Sequence, residues 1–70
     1  MAQQRLTGSV VDFDFEVGLG HVLGDDGAER MFHCVEIADG SRKIAVGTRV
    51  SYVPVVRFGL DEACDLRVVA

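Results

Sequence analysis

The stretch Val17-Gly18-Leu19-Gly20-His21-Val22 decides how the chain folds. Its two glycines stand two residues apart, so on a strand both leave the same face bare while Leu19 and His21 take the other. Glycine weakens a strand interior, and a pair of them marks a sharp bend or a close approach of backbone. A small barrel needs such bends, because a sheet closes on itself only when its strands coil tightly. Upstream, Gly8-Ser9-Val10-Val11-Asp12-Phe13 reads as a strand. Downstream, Arg30-Met31-Phe32-His33-Cys34-Val35 reads as another, and the three segments together form a meander.

Working outward, Leu6, Gly8 and Val10 share a face before Phe13 takes over the inward role, a shift that predicts a β-bulge near Val11 and Asp12. Asp14-Phe15-Glu16 makes the first connection, and Gly24-Asp25-Asp26-Gly27 carries strong turn chemistry. Ile37 is expected to plug one end of the core. Residues 38–43 form a polar loop and Val46-Gly47-Thr48 a turn. Arg49 to Val56 reads as a fourth strand with Val50 and Tyr52 inward. Pro54 cannot donate to a ladder and so belongs at an edge or a bulge. Arg57-Phe58-Gly59-Leu60-Asp61 reads as a loop. The last strand points Cys64, Leu66 and Val68 inward against Asp65 and Arg67. No stretch has helical periodicity. The pattern predicts an all-β, five-stranded antiparallel barrel. Its core is expected to comprise Val10, Phe13, Val22, Phe32, Val50, Tyr52, Leu66 and Val68, with Met31 outside.

Seventy residues make a single domain over 1–70, with its core over about residues 5–69. A chain of this size buries only roughly 60–65% of its unfolded surface, and a 49% hydrophobic composition is ample for one core. No run is long enough to span a bilayer and the start does not resemble a signal peptide, so no membrane partner and a cytoplasmic location are expected. Cys34 and Cys64 then read as buried thiols rather than a pair. The net charge of −4 opposes the general attraction to phosphate of most nucleic-acid binders.

From Gly8 onward the chain resembles the cold-shock domains of bacteria. Their pattern runs G-x-V-K-W-F-N, a short gap, K-G-F-G-F-I, a turn, V-F-V-H-F, then a loop and two more strands. Gly8, Val10, Phe13, Gly18, Gly20, His33, Ile37, Gly47 and Val50 keep that frame. The match is ungapped from Gly8 to about Ile37, loses one loop residue near Asp39, and continues to Val68. The resemblance implies an OB-type barrel that binds single-stranded RNA or DNA by stacking bases on aromatic side chains of strands one to three.

The platform itself departs from the family. The tryptophan of K-W-F falls at Asp12 and the lysine before it at Val11, while the lysine of K-G-F falls at Val17. The phenylalanines of G-F-G-F fall at Leu19 and His21, those of V-F-V-H-F at Met31 and Cys34, and a loop aromatic at Ser41. His33 alone is kept in kind, with His21 as a smaller ring. The residues left to contact a nucleic acid are Phe13, Leu19, His21, Met31 and His33, with Arg42, Lys43, Arg57 and Phe58 from the loops. The loop residues read more readily as ordinary solvated side chains. Base–aromatic stacking is worth roughly 1–3 kcal/mol per base, and lost lysines remove counterion release. Weak or altered binding is therefore expected.

Asp12, His21, His33 and Cys34 are metal-ligand types, but no C-x-x-C or H-x-x-x-H spacing accompanies them, so neither metal nor cofactor is expected. His33 and Cys34 would point to opposite faces of a strand unless the strand ends there, which opposes a nucleophilic dyad. Gly18 and Gly20 lack the following helix of a dinucleotide fingerprint. The chain does not read as an enzyme.

What replaces the platform is aliphatic. Val11, Val17, Leu19 and Met31, rimmed by Asp12, Asp14 and Glu16, form an apolar patch with a polar rim if they are continuous, the usual mark of a protein contact. If loops cover them singly, no patch exists. Two function classes follow. The first is a weak single-stranded nucleic-acid module; the second is a protein-interaction module engaging a hetero-partner or a second copy.

Overall fold

The structure, a computed structural model, describes residues 4–69. Its elements are β1 (Leu6–Asp14), β2 (Leu19–Gly24), β3 (Glu29–His33), a single 3-10 turn (Cys34–Glu36), β4 (Arg49–Arg57) and β5 (Leu60–Val68). They form a closed barrel in the order β1-β2-β3-β5-β4. The expected five-stranded barrel is present, but it is not purely antiparallel. A ring that alternates direction at every step needs an even number of strands. With five, one seam must join two strands running the same way. That seam is the parallel contact between β3 and β5, where Met31 pairs with Glu62, extended by a parallel bridge from Ile37 to Leu66.

The predicted bulge lies in β1. Val10 faces Val22 and Asp12 faces His21, so Val11 is one residue too many for β2. The extra residue turns Asp12, which would share the inward phase of Val10, out to the barrel surface, and turns Phe13 in. In the next row Phe13, Gly20 and Phe32 lie side by side on β1, β2 and β3. With no side chain on Gly20, the two rings meet across it, parallel, with centroids 5.8 Å apart. A Cβ on Gly20 would stand 2.7 Å from Phe32 Cζ and 2.6 Å from the Asp12 carbonyl oxygen. Gly18, in contrast, is not part of the strand. It sits in the turn before β2 at φ +78°, against the Cys34 sulfur, so the two glycines do different jobs.

The core joins Val10, Val22, Phe32, Ile37, Val50, Tyr52, Ala63 and Leu66, with Leu6, Phe13 and Ile44 packed against it. Burying side chains of this size is worth roughly 1.5–3 kcal/mol each. Tyr52 is wholly buried and its hydroxyl accepts from Arg30 Nη1 at 3.1 Å, which supplies the partner a buried phenol needs. Pro54 lies where expected: β1 pairs with β4 only as far as Tyr52, so Pro54 is paired on the β5 side alone, opposite Ala63.

The last strand departs from its simple alternation. Val53 faces Cys64 and Ser51 faces Arg67, so Asp65 and Leu66 share the place opposite Tyr52. Asp65 takes φ +51° to accommodate this second bulge. Arg5 holds it, donating to the Asp65 carbonyl at 2.7 Å and to Asp65 Oδ2 at 2.9 Å, while Glu36 Oε1 accepts the Asp65 N–H at 3.1 Å. Ala63 and Leu66 thereby both face in. Cys64, expected in the core, is buried on the other side of the sheet, with its sulfur 3.6 Å from an Arg57 nitrogen. Val68, also expected in the core, is 63% exposed at the end of the strand, because no other described element covers it. β5 begins at Leu60, leaving Phe58 and Gly59 as a two-residue hairpin turn rather than a longer loop. β3 stops at His33, and Cys34 and Val35 belong to the 3-10 turn instead.

Candidate nucleic-acid interface

The outward face of β1, β2 and β3 is laid out by register. One row crosses the barrel as Asp14, Leu19 and His33; the next as Asp12, His21 and Met31; a third sets Leu23 beside Glu29. Cross-strand partners in such rows are roughly 5 Å apart, so their side chains touch or share a ligand. Leu19, His21, Met31 and His33 are therefore brought together as the sequence suggested. Phe13 is not on this face. It is half-buried, stacked on Phe32, and lines a shallow hollow with Asp12, Asp14, Phe15 and Glu16.

The remaining candidates flank the face on two sides. Lys43 comes from the long 38–48 connection and places Nζ 4.9 Å from the centre of the Phe15 ring, a cation–π contact. Arg42 is in the same loop, exposed, at φ +59°. Arg57 and Phe58 belong to the β4–β5 hairpin. A hollow of about 490 Å³ lined by His21, Glu29, Met31, Gly59, Leu60 and Asp61 connects that hairpin to the strand face. Phe58 stands fully in solvent at the turn with φ +51°, followed by Gly59 at +77°. Two positive φ values suit the twist of a tight hairpin, and asparagine or glycine meets them without strain; a bulky aromatic does not.

Of the four aliphatic residues, Leu19 and Met31 stand diagonally on adjacent strands of the face. Val11 is the extra residue of the bulge and Val17 sits in the β1–β2 turn, 40% and 64% exposed. Neither belongs to the rows that hold Leu19 and Met31.

Carboxylates dominate the electrostatics of the rows. Asp12 Oδ1 lies 2.8 Å from His21 Nδ1. Asp14 Oδ1 accepts the backbone N–H groups of Glu16 and Val17 at 3.0 and 3.1 Å, closing the turn. Arg57 Nη1 is 3.8 Å from Glu62, a buried carboxylate paired in register with Met31. His33 and Cys34 do not join Asp12 and His21; β3 ends between them and Cys34 turns under Gly18. Burial pushes the Cys64 thiol up, which disfavours its reactive form.

Two residues of the site escaped the sequence reading. Phe15, 60% exposed, fits no strand phase, and its place between Asp14 and Glu16 made it look like a connection. Glu29 shares the face with His21, but only the β2–β3 register puts them close.

No family model matches the sequence, and no curated protein matches it. Among solved structures, the chain is similar to the Drosophila Unr fragment CSD456, with a TM-score of 0.85 at 20% identity. The likeness covers 99% of this chain and 28% of that one, so the chain spans little more than a quarter of its neighbour's length. The barrel thus has the cold-shock-domain fold. Among the described residues, no helix is long and apolar enough to cross a membrane.

Proposed function

We propose that the chain is a non-catalytic cold-shock-like module that binds single-stranded RNA or DNA weakly, through an altered set of contacts. The observation that carries this reading is the strand face with His21 and His33 on it, flanked by the exposed Phe15 and Phe58 rings and by Lys43 and Arg57. Rings and cations around a sheet of this topology suit a chain of unstacked bases. Asp12, Asp14 and Glu29 on the same face oppose phosphate, and the net charge of −4 adds to that. Binding is consequently weak and carried by ring contacts more than by counterion release.

The test is a titration with oligothymidine and oligouridine followed residue by residue in amide NMR spectra. Shifts at His21, His33, Phe15 and Phe58 are expected. Spectra that stay unchanged at millimolar oligonucleotide sink the reading. A second reading keeps the same barrel as a protein-interaction module. It is favoured by Leu19 and Met31, adjacent on the face and rimmed by carboxylates, which suits a basic or apolar partner surface. Replacing both by Glu would abolish partner capture or self-association in that case, and leave it unchanged otherwise.

A further inference from the structure

Asp12, His21 and Glu29 each present one donor atom, and these atoms all lie within 4.8 Å of one another. The three come from β1, β2 and β3, so rigid, paired backbone holds them. The β1 bulge creates the arrangement: without Val11 as the extra residue, Asp12 would follow Val10 into the core. His21 and Asp12 are about half-exposed, at 40% and 59% of their side chains. Among the described residues, no cation and no hydrogen-bond donor is recorded against the Glu29 carboxylate; the neighbouring Arg30 turns to Asp26 and Tyr52 instead. Two carboxylates thus converge on one imidazole: Asp12 Oδ1 lies 2.8 Å from His21 Nδ1, and the Glu29 carboxylate stands beside the same ring.

We propose that Asp12, His21 and Glu29 bind a divalent transition-metal ion of the zinc class, with water completing its coordination. An imidazole with two carboxylates suits zinc, manganese or cobalt, and the imidazole disfavours magnesium and calcium, which take oxygen ligands. Three protein ligands leave an open position. The hollow lined by His21, Glu29, Met31, Leu60 and Asp61 gives that position access to solvent. The spacing rules that find zinc sites in sequence miss this one because its ligands are nine and eight residues apart and meet only through sheet register.

The experiment uses the whole chain, freed of metal with a chelator, and zinc chloride as the probe, in the absence of any nucleic acid, so its outcome is independent of the reading above. Calorimetry is expected to show one ion per chain, and the imidazole resonances of His21, not those of His33, are expected to move. Asp12→Asn, His21→Gln and Glu29→Gln should each lower the affinity at least about tenfold, while His33→Gln and Cys34→Ser should leave it unchanged. Urea midpoints confirm that each variant is folded. The proposal is overturned by an absence of saturable binding up to about 1 mM zinc, by unchanged affinity in Asp12→Asn or Glu29→Gln, or by loss of binding on replacing His33 or Cys34.

Discussion

Replacing Asp12 by Trp, Leu19 by Phe and His21 by Phe together rebuilds a stacking surface on the existing strands. The register limits how much it can contribute. Positions 12 and 21 are direct cross-strand partners, roughly 5 Å apart, so their rings merge into one platform; position 19, one step along β2, makes a second. At about 1 kcal/mol each, the low end for stacking, two platforms contribute about 2 kcal/mol, or roughly 30-fold in affinity. Removing the Asp12 charge acts in the same direction. The surface pair of Asp12 with His21 that is lost is worth at most about 1 kcal/mol, so the barrel survives. The chain has no tryptophan, so the indole introduced at position 12 is a sole reporter whose quenching follows oligothymidine binding. Anisotropy of a labelled oligothymidine compares the variant with the parent on one scale. A folded triple variant that binds less than about threefold tighter would refute the reasoning, because the rows of β1 and β2 would then not be where bases lie.

Gly20→Ala puts a methyl group into the Phe32 ring and the Asp12 carbonyl at 2.7 and 2.6 Å. It should cost about 1–3 kcal/mol, read as a lower urea midpoint with unchanged slope. Phe58→Asn converts the hairpin turn to Asn-Gly at the same positive φ values. It should raise stability by about 1 kcal/mol and at the same time remove the oligonucleotide-induced shift of the hairpin. Acid stability rests partly on Asp25, whose carboxyl is held well below its ordinary value of 3.8 by hydrogen bonds from Arg49 and Thr7, and on Asp26, lowered by the Ala28 N–H and Arg30. A depressed native value means that the unfolded chain binds protons first as pH falls. The contribution is whole above about pH 5 and is lost as pH drops through about 4 and below. Thermal melts along that range should show the acid limb flattened by Asp25→Asn.

The β1–β2–β3 meander, the Val11 bulge, the inward Val50 and Tyr52 and the paired-edge position of Pro54 were legible in the chain because each is a local matter. Alternation of side chains, the phase slip between Val10 and Phe13, and the missing donor of proline all act within a few residues. The second bulge was not legible. Asp65 accepts φ +51° because Arg5, sixty residues away, and Glu36 bind its backbone and side chain. That contact moves Ala63 inward in place of Cys64. The parallel seam is likewise a property of the closed ring, since no single strand carries the information that five is odd. The candidate site divides along the same line. Histidines in outward phase could be read from β2 and β3 one at a time. That Asp12 and Glu29 flank His21 and that Phe15 meets Lys43 are decided by register and loop return, which exist only once the barrel has closed.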